Sequence, residues 1–234
     1  MRALGSEYVS VRYRDRIDGS NETPPVRITG AVDGTSLTWE PAPPAGALDT
    51  VGRGQSFEVR SSEPFVVRSQ DADHPFYVAA YMTGGAAYSN RGDPEFVNVI
   101  PSAQYLSEYT FFTDPTYPET NLVFVRKKGE AGFSDVTLDC AGVLGGWQPI
   151  GTSGLYEFTR YDLSTGMFQG NGACNNGLNH AISNGTFGLT VWGWGTDATG
   201  SSGSAGYSQY VSYAYPAGAS VQPINTVVVP PVPR

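Results

Sequence analysis

The sequence predicts an all-β protein made of tandem antiparallel β-sandwich units, jelly-roll or immunoglobulin-like, with little helix. Three observations carry this. The 234 residues include 29 Gly and 17 Pro, which break helices and favour short strands joined by tight turns. Segments that alternate apolar and polar residues recur along the chain, while apolar residues at helical spacing are almost absent. Tyr, Phe and Val fill those segments and suit a pleated, half-buried surface. Hydrophobic residues make up 40% of the chain, enough for a true core, and the length suits one large or two small domains.

The elements follow in order. Glu7–Arg14 alternates, with Tyr8 opposite Val9 and Val11, and reads as a first strand. Val26–Gly30 leads through Asp33-Gly34, a hairpin signal, into Ser36–Trp39. Ser56–Arg60 and Phe65–Arg68 come next. Phe76–Met82 is apolar throughout and reads as a central strand covered on both faces. Gly84–Pro94 is turn-rich and reads as a junction. Later strands are expected at Glu108–Phe112, Asn121–Arg126, Ser134–Asp139, Leu155–Tyr161, Phe187–Trp194 and Val211–Tyr215. Gly200–Gly206 is a Gly/Ser-rich loop. The run Val227–Arg234 tends to polyproline II, an edge or a stiff spacer to a following module.

His74–Gly84 and Thr186–Gly195 resemble each other: a Phe opens a long strand that ends in glycine, with His74 or His180 shortly before it. This pattern suggests two copies of one unit of about 100 residues. The expected organisation is a first β-sandwich over residues 1–90, a second over 91–229, and a Pro-rich tail or linker over 230–234.

The formal charge is −8. Without a basic stripe, nucleic acid and membrane-surface binding are poor fits. No apolar run approaches the roughly 20 residues needed to span a bilayer. No secretory leader precedes the first strand, so the expectation is a mature form or an excised part of a larger multidomain chain.

Cys140 and Cys174 lie 34 positions apart with no CxxC spacing, and the only histidines are His74 and His180. Four-ligand zinc binding lacks partners. A catalytic Cys174–His180 pair is conceivable, but Cys174 sits in a turn-rich loop without a helix N-terminus to lower its pKa. The preferred reading is a structural disulfide, Cys140–Cys174, which places the chain in an oxidising compartment. In the loop-entropy model it contributes about 3–4 kcal/mol.

Asp71, Asp73 and His74 form an Asp-x-Asp corner with hard oxygen donors. The further Asp or Asn, the Gly and the distal Glu of a calcium loop are missing, so a solvated turn is the plainer reading and no metal is assigned. His74 and His180 are the acid–base candidates. Neither a Gly-x-Ser-x-Gly elbow nor a His-Glu-x-x-His helix accompanies them, and structural hydrogen bonds are expected of both. No catalytic residue is assigned. Trp192 and Trp194 lie two apart and face one side of a strand, with Leu189, Val191 and Gly193 on the other. Exposed, the two rings make a stacking platform for a sugar or a protein; buried, they are core. They are the candidate binding residues. Trp39 and Trp147 are weaker candidates. Asn21–Thr23 and Asn184–Thr186 fit the N-glycosylation pattern.

Several segments together resemble a known family: Asp93–Pro101, Val136–Gly142, Trp147–Gly151, Phe187–Gly195 and Ser212–Gly218, with His74–Val78 upstream. They are similar to the N-terminal domain family of the IgGFc-binding protein, and the Ser-Tyr-x-Tyr-Pro-Ala-Gly ending is the most specific element. That family occurs in animal mucus proteins and in bacterial surface proteins. The abundance of arginine over lysine fits a bacterium with a GC-rich genome. The resemblance implies a secreted or cell-surface, non-enzymatic binding role; it carries no catalytic motif, and Fc binding itself is not carried over. The expected function is an extracellular adhesion or binding module for a protein or glycan partner. A structural stalk or spacer is the alternative, and a calcium-dependent hydrolase a more distant one.

Overall fold

The computed structural model describes residues 3–196 and 210–227. The loop expected at Gly200–Gly206 and the Pro-rich tail at 230–234 lie outside the described residues. The class is the expected one: nearly all β, with antiparallel sheets. The first strands are β1 (Glu7–Ser10), β2 (Pro25–Gly30), β3 (Thr35–Glu40), β4 (Thr50–Val51), β5 (Ser56–Arg60), β6 (Phe65–Ser69), β7 (Phe76–Met82) and β8 (Glu95–Asn98). They form two four-stranded sheets, β1-β6-β3-β4 and β5-β2-β7-β8. Then come β9 (Leu106–Thr113), β10 (Glu119–Lys127), β11 (Val136–Leu138), β12 (Gly142–Val143), β13 (Gln148–Ile150), β14 (Tyr156–Thr165), β15 (Gln169–Gly170), β16 (Gly177–Trp194) and β17 (Ser212–Pro216). These nine form one sheet around the long strand β16, which pairs with β9, β10, β11 and β17.

One local expectation changes. Asp33-Gly34 does make a turn, with Gly34 at φ 73, but not a hairpin. β2 is flanked by β5 and β7, and β3 by β6 and β4. The turn therefore carries the chain from one sheet to the other. The boundary expected at residue 90 falls between β7 and β8, which pair with each other.

Period-two alternation decides the layers. Tyr8, Leu37 and Val67 on one sheet meet Ile28, Phe76 and Val78 on the other in a shared core. The opposite face of β1 and β6 presents Val9 and Val66 to Val125, Tyr156 and Phe158 of the nine-stranded sheet. β10 is likewise buried on both sides. Leu122 and Phe124 enter a core with Phe187, Leu189 and Val191, whereas Val123 points into the first core beside Trp192 and Trp194. Gly193 provides a close approach on the other face of β16: a Cβ there would lie 2.0 Å from the Tyr213 ring. The ring of β17 thus covers glycine backbone directly.

Charged groups also cross between the two parts. Arg14 pairs with Glu119 at 2.6 Å and Asp162 at 2.8 Å. Trp194 donates its indole N–H to Glu119. Arg16 and Glu22, both fully buried, pair at 2.9 Å. Tyr13 donates to the same carboxylate, and Arg16 donates to the Arg91 carbonyl and the Thr83 hydroxyl. Such a pair is costly to break from one side, because the remaining charge stays buried. Arg16→Ala is expected to lower unfolding stability by about 3–5 kcal/mol, while Arg16→Met with Glu22→Gln loses clearly less. Urea unfolding measures both, and a single variant within about 1 kcal/mol of the parent would contradict the assignment.

Candidate functional site

The outward face of β9, β16, β11 and β12 gathers four of the exposed large hydrophobic side chains, Phe112, Val143, Leu178 and Ile182. Its placement follows from register. Leu178 opposes Phe112, His180 opposes Thr110, and Ile182 opposes Glu108. Thr137 lies between Ile182 and Val143. Directly opposed residues share a face, as do residues two apart. Leu178, His180 and Ile182 therefore point one way, while Ala181, Tyr109 and Phe111 point into the core. Leu178 is 75% exposed, Val143 62%, Phe112 59% and Ile182 42%. Four such side chains on one sheet face are unusual for a surface that meets only water.

A polar row crosses the middle of this face. His180 is held from both ring nitrogens, with Nε2 2.9 Å from a Glu108 oxygen and Nδ1 3.1 Å from an Asp139 oxygen. Both carboxylates stay largely open to solvent. The hydrogen bond to Glu108, then that to Asp139, holds the imidazole pKa above its ordinary value. The row is an imidazole bridging two carboxylates, with apolar side chains on either side. The Cys140–Cys174 disulfide closes at its flank. It ties the turn between β11 and β12 to the loop that enters β16, so the hairpin bearing Val143 is fastened to the strand bearing Leu178 and His180.

The residues singled out in the sequence are placed otherwise. Trp192 and Trp194 are 1% and 0% exposed, with Tyr13 packed on them at ring-centroid distances of 5.0 and 5.9 Å. They form no stacking platform, because the first half of the chain covers their side of β16. Trp39 packs at a tilt against Phe65, with ring centroids 5.7 Å apart, and Trp147 donates to the Leu144 carbonyl. Asp71 accepts hydrogen bonds from the Asp73 backbone N–H and pairs with His74 at 2.6 Å, which makes this corner a turn closed on itself. His74 stands in the turn before β7, whereas His180 lies inside β16, so the two are not equivalent.

Sequence reasoning missed Phe112, Leu178, Ile182 and Val143. One signal was present: the adjacent Phe111 and Phe112 must point to opposite faces of a strand, so one of them had to meet solvent or a partner.

The bridged histidine fixes the sign of a pH effect. Its folded-state pKa lies above the unfolded value of 6.5. The bridge therefore contributes stability that is complete below that value and is lost as pH rises through the folded pKa. An imidazole NMR titration is expected to give a His180 midpoint above 6.5, and Glu108→Gln with Asp139→Asn should bring it down. A parent midpoint at or below 6.5 contradicts the bridge.

Comparison with known proteins adds one positive finding. No curated protein and no solved structure matches the chain. The family described as IgGFc binding protein matches residues 1–193, which include β1 to β15 and nearly all of β16, and the chain belongs to that family.

Proposed function

We propose that this chain is an extracytoplasmic, non-enzymatic protein-binding module, and that the outward face of β9, β16, β11 and β12 is where the partner docks. The observation that carries the reading is the set of exposed Phe112, Leu178, Ile182 and Val143 side chains on one rigid sheet face. Burying such a patch is the main source of affinity in protein association, and a few central side chains dominate it. The row of Glu108, His180 and Asp139 would supply the polar contacts that fix register. Membership of a family named for binding an immunoglobulin region supports a protein partner. The disulfide supports an oxidising compartment, and among the described residues no helix is long and apolar enough to cross a membrane.

The test pairs the parent protein with a Phe112→Ser/Leu178→Ser variant. Both side chains are exposed, so folding should survive, and thermal unfolding checks this. Immobilised immunoglobulin Fc and a panel of purified secreted proteins serve as first probes in surface plasmon resonance. A protein bound by the parent should bind the variant at least about tenfold more weakly. A partner bound equally by both moves the site elsewhere. Absence of binding across a broad display library of extracellular proteins would count against the module reading and for a spacer.

A further inference from the structure

The outer face of the sheet β5-β2-β7-β8 has a different chemistry. Pro25 opposes Arg60. Val26 opposes Ala80, which sets Pro25 beside Tyr81, and Tyr81 opposes Phe96. Arg60, Pro25, Tyr81 and Phe96 thus form one straight row across four strands. At ~4.8 Å per strand the row spans about 14 Å. The Tyr81 and Phe96 rings lie 5.8 Å apart at 30°, and Phe96 is 54% exposed. In the next row Arg27 sets its guanidinium 5.2 Å from the Tyr81 ring centre and pairs with Glu58 at 2.6 Å. Beyond it, Tyr77 hydrogen-bonds Asn98. These two residues also line a groove of about 530 Å³ that continues past Ile100 and Gln104.

Two features select a ligand class. The exposed apolar area is made of flat rings and a proline, with no Leu, Ile or Val in the row. Flat rings flanked by hydrogen-bonding groups match the CH faces and hydroxyls of a sugar. The charge is the second feature. In a chain of net charge −8, this face sets two guanidinium groups, Arg27 and Arg60, against one carboxylate, Glu58. Arg27 is compensated by Glu58. Among the described residues Arg60 forms no ion pair; its hydrogen bond goes to the Thr23 carbonyl.

We propose that this aromatic face binds an acidic oligosaccharide, with sugar rings lying on Tyr81 and Phe96 and a sugar carboxylate meeting Arg60. The site lies on a different sheet from the protein-docking face and does not depend on it. A ring stacked on Tyr81 and Phe96 directs its substituents along the row toward Arg60 on one side. On the other side, the chain would run toward Asn98 and the groove.

Isothermal calorimetry on the intact protein separates the possibilities. The probes are sialyllactose and oligogalacturonate, with lactose and methyl-esterified oligogalacturonate as uncharged counterparts. The acidic probes are expected to bind about tenfold more tightly than the uncharged ones. Phe96→Ser should abolish binding of all four. Arg60→Ser should leave residual binding but erase the preference for acid. The Phe112→Ser/Leu178→Ser variant should bind the sugars as the parent does, which keeps this test independent of the other face. Equal affinity for acidic and uncharged probes, binding that survives Phe96→Ser, or no binding of any probe would each overturn the proposal. So would preferential occupancy of this face by an extended peptide.

Discussion

The architecture depends on β10 and residues 187–194 of β16 being buried on both faces. A strand has only two faces, and period-two alternation assigns every side chain to one of them. In β10, Leu122 and Phe124 serve one core and Val123 another. In β16, Leu189 and Val191 serve the same core as Leu122, while Trp192 and Trp194 serve the core of the first half. A slip of one residue would exchange these sets, sending two indoles into a space fitted to Val and Leu. Register, the junction between the halves and the filling of two cores are therefore one constraint. The bare backbone at Gly193 belongs to it too, because the Tyr213 ring occupies the space a side chain would need.

Double-sided burial leaves polar groups to be satisfied at the junction. Arg14 and Arg16 enter from the segment after β1 and reach carboxylates on both sides of it. The network is well occupied: Glu22 accepts from the Tyr13 hydroxyl, the Arg16 backbone and the Arg16 guanidinium, and Glu119 accepts from Arg14 and the Trp194 indole. Buried ions contribute little net stability when paired and cost much when stranded. Arg14 acts on geometry, since it reaches Glu119 and Asp162 only when the first half is docked on the second. Glu40 makes a comparable contact, pairing with Arg68 while accepting the backbone N–H groups of Thr152 and Ser153.

Much of the strand map was legible, because alternation is local. Phe76–Met82 is β7 with the same bounds, and Ser56–Arg60 is β5. What was not legible is which sheet each strand joins and what covers each face, since those depend on residues far away in the chain. Asp33-Gly34 has the chemistry of a hairpin turn, yet it bridges two sheets, because both edges of β2 are already taken. The tryptophans were correctly placed on one face of β16; whether that face is wet or dry was decided by Tyr13, some 180 residues earlier in the chain. Conversely, β7 was read as covered on both sides. Tyr77 and Tyr81, the amphipathic members of that run, lie half-open on its outer face, and their phenols were the local hint.

The same constraint decides where recognition is possible. With β10 and residues 187–194 of β16 covered on both sides, their aromatic side chains are committed to cohesion, and contact with other molecules falls to the outward faces elsewhere in the sheets. Those faces have diverged. On β9, β16, β11 and β12 the outward positions are aliphatic and aromatic around a carboxylate-bridged histidine. On β5, β2, β7 and β8 they are aromatic and hydrogen-bonding, with Arg60, which forms no ion pair among the described residues, at the row's end. An outer face with no partner gains nothing from exposed Leu or Phe, and polar residues there would keep the chain soluble at no cost to the core. The core does not call for these side chains, since each points away from it. Molecules that cover them, as proposed above, would explain their presence, and the difference in chemistry between the two faces fits two kinds of partner.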